Sequence, residues 1–439
     1  MQRGDLLSER FELDAPVASG GMGQVFRARD RWSGADVAVK VILESRAGAH
    51  ARFAREIAVL SELSHAGIVG YVAHGGTPRG QPYLVMEWLD GEDLCSRLKR
   101  GPLSVHDAVE LGMQVSAALA VAHRAGVVHR DLKPSNLWLC DGDALRVKVL
   151  DFGVAHLGDA ATVTRTGALL GTPRYMAPEQ AKGERSIDPR ADVFALGCVL
   201  FECLAGEPPF TGDSVMAVLA KILFQEAPRL SELSPTIPPE LDQLVARALA
   251  KVKEERPNDG AALFAELAAF KPSDMLAYRQ SAVPRRASLT ASERRMQSVV
   301  LIEVGKPPDA DASTVDSTGP DNPIHVLAKL VSARGGRLEL LADGTAVITF
   351  VHSGRVASDQ AVQAARCALA INALGLGLPI VVATGRTEIT GLLPLGDAID
   401  RAARMLCARV SDGIQVDAVT AGLLDTRFEV QDTFAGLRL

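Results

Sequence analysis

The sequence has few of the features that mark secreted, membrane-spanning and zinc-binding proteins. Its 439 residues include six cysteines, which form no CxxC pair and have no histidine at zinc-ligand spacing. Such scattered thiols are typical of a reducing compartment, and we expect a cytoplasmic protein. The N-terminal residues lack the apolar core of a signal peptide. The most apolar window, residues 193–205, contains Glu202 and is too short to cross a bilayer, so no membrane span is predicted.

A strong excess of charge of either sign is also missing. The formal net charge is −6, which gives no reason to expect nucleic acid or a membrane surface as a partner. Hydrophobic residues make up 47% of the chain and charged residues 23%, values typical of folded globular protein. The length is sufficient for two or more domains, each with its own core.

The pattern of apolar residues divides the chain into three parts. Short β-type runs surround one helical segment in residues 11–89, and helical periodicity dominates residues 90–270. Residues 271–296 are polar and rich in Arg and Ser, a composition typical of a linker. Strands and helices alternate again over residues 297–430. We therefore expect a small β-rich lobe, a larger helical lobe and a second α/β domain.

The octet HRDLKPSN, residues 129–136, carries the chemistry of one reaction. It places the carboxylate of Asp131, the ammonium of Lys133 and the carboxamide of Asn136 close together in the chain. Phosphoryl transfer needs a base for the hydroxyl proton, a cation beside the phosphate and oxygen ligands for magnesium. Asp151 follows an apolar strand in the triplet Asp-Phe-Gly, and its carboxylate oxygens are of the hard type that magnesium prefers. The alternative for a lone Asp-Phe-Gly triplet is a turn that ends a strand and has no catalytic role.

Two N-terminal segments complete this set. The stretch VASGGMGQV, residues 17–25, is glycine-rich, and glycine allows the backbone to approach phosphate groups closely. By itself such a stretch is equally a generic turn. The run VAVK then places Lys40, a cation, on a predicted strand.

In this order, the segments resemble those of protein kinases over residues 11–270, and the Lys133-Pro134 pair resembles the serine/threonine branch. The resemblance implies an α+β two-lobed kinase fold, with an N-lobe over 11–89 and a C-lobe over 90–270. It also implies ATP and Mg²⁺ as cofactors and protein Ser/Thr hydroxyls as acceptors. Asp131, Lys133 and Lys40 are then the catalytic residues, and Asn136 and Asp151 the metal ligands. The residues implied in nucleotide binding are Val17, Ala18, Ser19, Gly20, Gly21, Met22, Gly23, Val25, Lys40, Glu56, Glu87, Leu89 and Asp93.

Within that resemblance, Glu56 orients Lys40, although a surface lysine and a solvated glutamate are the alternative. The backbone of Glu87 and Leu89 meets adenine, and Asp93 meets the ribose hydroxyls. Met86 lines the back of the pocket or is a plain core residue, and Ala18 stands where the family has a glycine.

Supporting residues are implied as well. Thr172-Pro173 and Ala177-Pro178-Glu179 resemble the end of the activation segment, with the Thr172 hydroxyl near Asp131 and Lys133. Glu179 is expected to pair with Arg256, and Asp192 to hold the backbone of the catalytic loop.

Regulation by phosphate is a further expectation. Arg130, just before Asp131, implies a cation that awaits a phosphate on the activation loop. Thr162, Thr164 and Thr166 are the candidate acceptors, with autophosphorylation on Thr164 or Thr166; an unmodified loop is the alternative. Ser288 is a second candidate.

The second domain, residues 297–430, resembles class III nucleotide cyclases, which implies a smaller α/β, ferredoxin-like fold. A hairpin turning at Asp343-Gly344 and a helix from an N-cap at Ser358 to Leu374 are predicted. Asp343 and Arg404 match the cyclase pattern, and the first carboxylate is Glu303. Two departures are Glu339 at the base-reading lysine place and Asp400 at the asparagine place.

These carboxylates would repel a nucleotide, so we expect an inactive, regulatory domain. Dimerisation, giving a homodimer through this domain, or nucleotide sensing is its expected role. The whole chain is then predicted to be an active, autophosphorylating serine/threonine kinase that acts on protein substrates. The alternatives are a nucleotide-binding pseudokinase scaffold and a bifunctional kinase–nucleotide cyclase.

Overall fold

The structure is a computed structural model in which part of the chain is described. The described residues are 1–20, 23–42, 57, 61, 63–141, 146–152, 173–184, 186–234, 236–270, 294–305, 323–350, 357–388, 396–408, 413–433 and 436–439. Several residues singled out from the sequence lie outside this part of the chain. They are Gly21, Met22, Glu56, Gly153, Thr162, Thr164, Thr166, Thr172 and Ser288.

A six-stranded antiparallel sheet, in the order β1-β2-β3-β4-β6-β5, forms the N-terminal lobe. Alternation along β4 buries Val37, Val39 and Val41 on one face, which puts Lys40 on the other. The sheet thus presents Lys40 away from the apolar core beneath it. The strands are β1 Leu6–Leu7, β2 Phe11–Gly20, β3 Gly23–Asp30, β4 Asp36–Ile42, β5 Tyr71–Gly76 and β6 Pro82–Glu87.

The second lobe is helical, and its helices pack around a central helix, Arg190–Ala205 (α4). Almost every residue of α4 is buried, as expected of a helix that is apolar on all sides, and the helix ends at Gly206 in the left-handed conformation. A three-stranded sheet, β7-β8-β9, lies at the junction with the first lobe. The helices are α1 Leu94–Leu98, α2 Val105–Arg124, α3 Pro178–Ala181, α4 Arg190–Ala205, α5 Val215–Phe224, α6 Leu230–Leu233, α7 Pro239–Ala248 and α8 Gly260–Ala268; the strands are β7 Gly91–Asp93, β8 Leu137–Cys140 and β9 Val147–Val149.

The third part of the chain forms a seven-stranded mixed sheet in the order β11-β12-β10-β13-β14-β16-β15. Alternate residues of β10 are buried on opposite faces, with Val300 and Ile302 on one and Val299 and Leu301 on the other. The helices Pro323–Ser332 (α9) and Ala357–Asn372 (α10) contribute to the first of these two cores, and the helix Gly396–Cys407 (α11) contributes to the second. The elements are β10 Arg294–Glu303, α9 Pro323–Ser332, β11 Gly336–Leu340, β12 Thr345–Phe350, α10 Ala357–Asn372, β13 Ile380–Glu388, α11 Gly396–Cys407, β14 Ile414–Val416, α12 Ala418–Leu423, β15 Gln431–Thr433 and β16 Gly436–Arg438.

This sheet extends beyond the boundaries expected from the sequence. Strand β10 begins at Arg294, inside the predicted linker, and β15 and β16 follow residue 430. The predicted N-cap at Ser358 is wrong, because α10 already begins at Ala357 and Ser358 lies inside its first turn. The hairpin at Asp343-Gly344 is confirmed by the pairing of β11 with β12.

No helix in the described ranges is long and apolar enough to cross a membrane. All six cysteines lie in the described ranges, and none of them forms a disulfide.

Candidate active site

The octet at residues 129–136 is held in place by one buried carboxylate. Asp192, fully buried on α4, accepts hydrogen bonds from the backbone N–H of His129 at 2.7 Å and of Arg130 at 2.8 Å. The same carboxylate lies 2.9 Å from Nε2 of His123. Arg130 has a left-handed backbone with φ of 65°, a strained conformation that persists only where surrounding contacts impose it. The expected role of Asp192 is therefore confirmed.

Two polar side chains of the octet converge on Asp131. Lys133 Nζ lies 2.8 Å from Asp131 Oδ2, so the carboxylate has a cation beside it. Asn136, at the end of a single 3₁₀ turn, donates through Nδ2 to the backbone carbonyl of Asp131 at 2.8 Å. Because its nitrogen is engaged in this way, the amide oxygen of Asn136 is the atom left to bind a cation. The octet thus brings a carboxylate, an ammonium and an amide oxygen together.

Lys40 reaches Asp151 across the junction of the two lobes. The ammonium lies 2.6 Å from Asp151 Oδ2, and the two side chains are 12% and 28% exposed. Asp151 has a left-handed backbone with φ of 57°, the second strained residue of the site. This pair was not expected from the sequence, where Glu56 was the predicted partner of Lys40.

Asp151 is tied to the octet through its neighbours. The ring of His129 hydrogen-bonds to the carbonyl of Leu150 at 2.8 Å, and packs against Phe152 with ring centroids 4.8 Å apart. The N–H of Leu150 donates to the carbonyl of Asn136 at 2.8 Å. Movement of the octet would therefore move Asp151 as well.

The donor set fits a magnesium ion together with a polyphosphate. Asn136 and Asp151 offer hard oxygen atoms, and Mg²⁺ usually takes few protein ligands and keeps water and phosphate oxygens in its other positions. Among the described residues, no three His, Cys, Asp or Glu side chains gather where they could hold a metal by themselves. A phosphate-bearing substrate is thus the natural source of the remaining ligands.

Strands β2 and β3 form the glycine-rich hairpin above this site. Ala18 pairs with Val25 and Gly20 with Gly23, while the tip of the hairpin lies outside the described residues. A Cβ at Gly23 would lie 2.1 Å from the carbonyl oxygen of Val41, so no side chain fits there. Gly23 is therefore required for packing of the hairpin on β4.

Comparison with known proteins decides the family. The family model described as the protein kinase domain matches residues 11–267, more than half of the chain. The chain belongs to the protein kinase family. Protein kinases use ATP and Mg²⁺, in agreement with the donor set around Asp131 and Asp151.

Relatives of the kinase domain include bacterial serine/threonine-protein kinases. PknB of Mycolicibacterium smegmatis is 41% identical over 270 residues, which are 60% of this chain and 43% of that protein. PknL of Mycobacterium tuberculosis is 38% identical over 303 residues, 66% of this chain and 75% of that protein. The chain therefore spans less than half the length of PknB. A solved structure of Rad53 in complex with AMP-PNP is 27% identical, with a TM-score of 0.49, and the match covers 58% of this chain and 64% of that one.

Two of the residues implied in nucleotide binding, Glu87 and Asp93, have structural contacts of their own. The Glu87 side chain accepts from the N–H of Gly70 at 2.6 Å and from Lys148 Nζ at 2.5 Å. Asp93 caps α1, accepting from the N–H of Ser96 at 2.8 Å and from its hydroxyl at 3.0 Å. Helix capping is thus sufficient to explain Asp93, and its contact with ribose stays a prediction.

The segment after the activation loop is anchored on both sides. Glu179 and Arg256 form a buried, two-pronged ion pair at 2.8 and 3.0 Å, which confirms the expected pairing. Its neighbour Gln180 donates to the backbone carbonyl of Arg130 at 2.7 Å, a link that no sequence motif had indicated. The strained residue Arg130 is therefore held at its N–H by Asp192 and at its C=O by Gln180.

Proposed function

We propose that the chain is an ATP-dependent serine/threonine protein kinase that transfers the γ-phosphate to Ser and Thr hydroxyls of proteins and phosphorylates itself. The convergence of Lys133 and Asn136 on Asp131, beside the Lys40–Asp151 pair, is the observation that supports it best. A pseudokinase would be expected to lack one of these groups, and none is missing.

The geometry suggests a role for each side chain. Asp131 accepts the proton of the acceptor hydroxyl as the hydroxyl oxygen attacks the γ-phosphorus of ATP. The bond from that phosphorus to the β–γ bridging oxygen breaks, and ADP leaves. Lys133, 2.8 Å from Asp131 Oδ2, offers positive charge to the transferring phosphate. Lys40 would neutralise the non-transferred phosphates, and Asn136 and Asp151 would hold the metal. Mg²⁺, when bound, neutralises charge on the phosphate oxygens.

Two features support Ser and Thr as acceptors and phosphate as the regulator. The Lys133-Pro134 pair resembles the serine/threonine branch, and the relatives above carry that name. Arg130 immediately precedes the proposed base, which supports control by a phosphorylated Thr164 or Thr166.

Phosphate incorporation tests this proposal. The full chain is incubated with Mg²⁺ and γ-labelled ATP, and phosphorylated residues are mapped by mass spectrometry. We expect phosphoserine or phosphothreonine, lost in Asp131→Asn and in Lys40→Met, and lower activity in a Thr164→Ala/Thr166→Ala variant. ATP binding by the wild type without any transfer would instead support a pseudokinase, and phosphotyrosine alone would contradict the acceptor class.

The C-terminal domain is proposed to be cyclase-like in fold and inactive as a cyclase. Its first six elements run βαββαβ with strand order β13-β10-β12-β11, the arrangement of ferredoxin-like folds. Burial and the neighbouring Glu303 raise the pKa of Asp343. Glu339 lies 2.7 Å from Arg337 of its own strand and 3.7 Å from Lys182 of the kinase domain, and Asp400 is paired with Lys221. Formation of cyclic AMP or cyclic GMP by the full chain would contradict this proposal.

A homodimer through the C-terminal domain stays a proposal that sedimentation of the full chain would test. A cytoplasmic location is likewise proposed, because none of the six cysteines forms a disulfide.

A further inference from the structure

The C-terminal domain lies against the kinase C-lobe, and a charged pair marks the centre of the contact. Helix α11 packs on α5, and Lys221 of α5 lies with its Nζ 2.6 Å from Oδ2 of Asp400 of α11. These side chains are 11% and 22% exposed, so the pair is largely removed from water. Arg404 and Asp213 form a second ion pair at 3.0 Å, but both are 59% exposed and this pair contributes little.

A second contact joins the β11–β12 hairpin to α3. The backbone N–H of Ala342 donates to the carbonyl of Ala181 at 2.9 Å, and Lys182 lies 3.7 Å from Glu339. Gly183, left-handed with φ of 72°, lies beside Ala342, which an added Cβ would meet at an ordinary contact distance of 3.8 Å. The hairpin therefore rests on the end of the helix that carries Gln180.

Apolar packing continues across the contact. Leu341 of the hairpin and Ile399 of α11 belong to the same buried cluster as Val218 and Leu219 of α5. At Gly212 an added Cβ would lie 3.3 Å from Oδ1 of Asp400, so that glycine allows the carboxylate to approach. The two domains thus share one core in this arrangement.

The covered surface borders the place where an acceptor hydroxyl must enter. Helix α5 packs against α3 and against the 3₁₀ turn Pro173–Tyr175, and Gln180 of α3 donates to the carbonyl of Arg130, next to Asp131. A folded protein that presents a hydroxyl to Asp131 needs a surface of the C-lobe on which to rest. The α3–α5 surface is adjacent, and the C-terminal domain occupies it.

We propose that the C-terminal domain is an intramolecular cover of the α3–α5 surface that limits access of protein substrates, but not of short peptides, to Asp131. This inference rests on the proposed kinase activity. A second, kinase-dead copy of this chain serves as the protein substrate in the test below.

The chemistry of the central pair suits a cover that can be released. Lys221 also donates to the carbonyl of Thr211 at 2.7 Å, a contact within the kinase domain that survives undocking. Asp400 Oδ1 is buried without a hydrogen-bond partner in the docked arrangement and would regain water on release. Docking therefore gains an ion pair and apolar contact while leaving one carboxylate oxygen unsatisfied.

Charge reversal in the full chain tests the cover. Asp400→Lys places two ammonium groups together, and the swap Lys221→Asp/Asp400→Lys restores an opposite pair. Asp397→Lys is the matched control, since Asp397 is exposed at the start of the same helix. The milder Asp400→Asn, which keeps the shape of the side chain, should change both readouts below in the same direction as Asp400→Lys.

Two readouts are needed. The first is hydrogen exchange of the amides in residues 178–181 and 215–224, which does not depend on activity. The second is the rate of phosphorylation of an Asp131→Asn copy of the chain, divided by the rate on a peptide of residues 158–168. In Asp400→Lys we expect exchange to rise at least fivefold and the rate ratio at least threefold, both reversed in the swap and unchanged in the control.

Unchanged exchange in Asp400→Lys would overturn the docking, and faster exchange with an unchanged rate ratio would overturn the role as a cover. If the wild type phosphorylates neither the protein nor the peptide, the proposed kinase activity fails, and the cover has no substrate to exclude. The exchange data then still show separately whether the domains dock.

Discussion

Replacing Asp192 by asparagine should disable the catalytic loop while leaving the fold in place. Oδ2 of Asp192 lies near two donors, the His129 N–H and His123 Nε2, and Oδ1 accepts from the Arg130 N–H alone. The amide oxygen of asparagine will take the position that serves two donors. Its NH₂ group then faces the Arg130 N–H, donor against donor, and that bond is lost.

The magnitude follows from what this bond does. A hydrogen bond to a charged group contributes about 1.5–3 kcal/mol, and a residue in a sparsely populated backbone region costs about 1–3 kcal/mol that its contacts must offset. With φ of 65° and only Gln180 left to hold it, Arg130 is expected to relax and to displace Asp131. A loss of about 3 kcal/mol in transition-state stabilisation corresponds to a fall in kcat of roughly 100-fold.

Steady-state phosphorylation of a peptide gives kcat and the KM for ATP, and urea denaturation gives the free energy of unfolding. We expect kcat to fall far more than the KM for ATP rises, because Lys40, which is proposed to bind the ATP phosphates, belongs to the other lobe and should keep its position. Glu207→Gln, an exposed carboxylate-to-amide change in the same lobe, should leave kcat within twofold. A folded Asp192→Asn variant with unchanged kcat would refute the reasoning.

Three further predictions concern buried polar groups of the C-lobe. Burial lowers the pKa of Lys251 to about 7, and its ammonium has no hydrogen-bond partner. Lys251 keeps its proton to higher pH in the unfolded chain, so the free energy of unfolding should rise from about pH 7 to pH 10. In Lys251→Met that slope should vanish, and the free energy of unfolding at pH 7 should rise by about 1–3 kcal/mol. An unchanged slope in the variant would contradict the assignment of the slope to Lys251. Arg256→Lys should lower the free energy of unfolding by about 2–4 kcal/mol, because an ammonium cannot reproduce the two-pronged contact with Glu179; a loss under 1 kcal/mol by urea denaturation would argue against this. Tyr175 donates to Glu202 at 2.6 Å, and burial raises the pKa of that carboxyl. Tyr175→Phe should therefore lower the free energy of unfolding by about 1–2 kcal/mol at pH 8 and by less at pH 5, where Glu202 can take up a proton. Equal losses at the two pH values would contradict this prediction.

The parts of the site that sequence predicted well are those determined by local chain geometry. The octet, the strand that carries Lys40 and the strand before Asp151 are each short segments whose residue order dictates which groups face the cleft. The role of Asp192 was expected only through the resemblance to kinases, since 62 residues separate it from Arg130.

The rest depends on tertiary contacts that no spacing encodes. The Lys40–Asp151 pair joins two lobes, and the bond from Gln180 to Arg130 joins segments that are 50 residues apart. Glu339 and Asp400 stood out in the sequence only as departures from a cyclase pattern. The structure gives them positive partners in another domain, Lys182 and Lys221, which periodicity along either segment could not have shown.

Phosphate transfer by Asp131→Asn tests the central claim most directly. The change removes the proposed base and keeps the cradle of Lys40, Asn136 and Asp151, so the affinity for MgATP should stay within threefold. The rate of transfer to a Thr-containing peptide should fall by at least 100-fold, the range usual for loss of a general base. Asp141→Asn is the matched control, an exposed aspartate that also has a left-handed backbone, with φ of 56°. Transfer within tenfold of the wild-type rate, with the control equally active, would contradict the account.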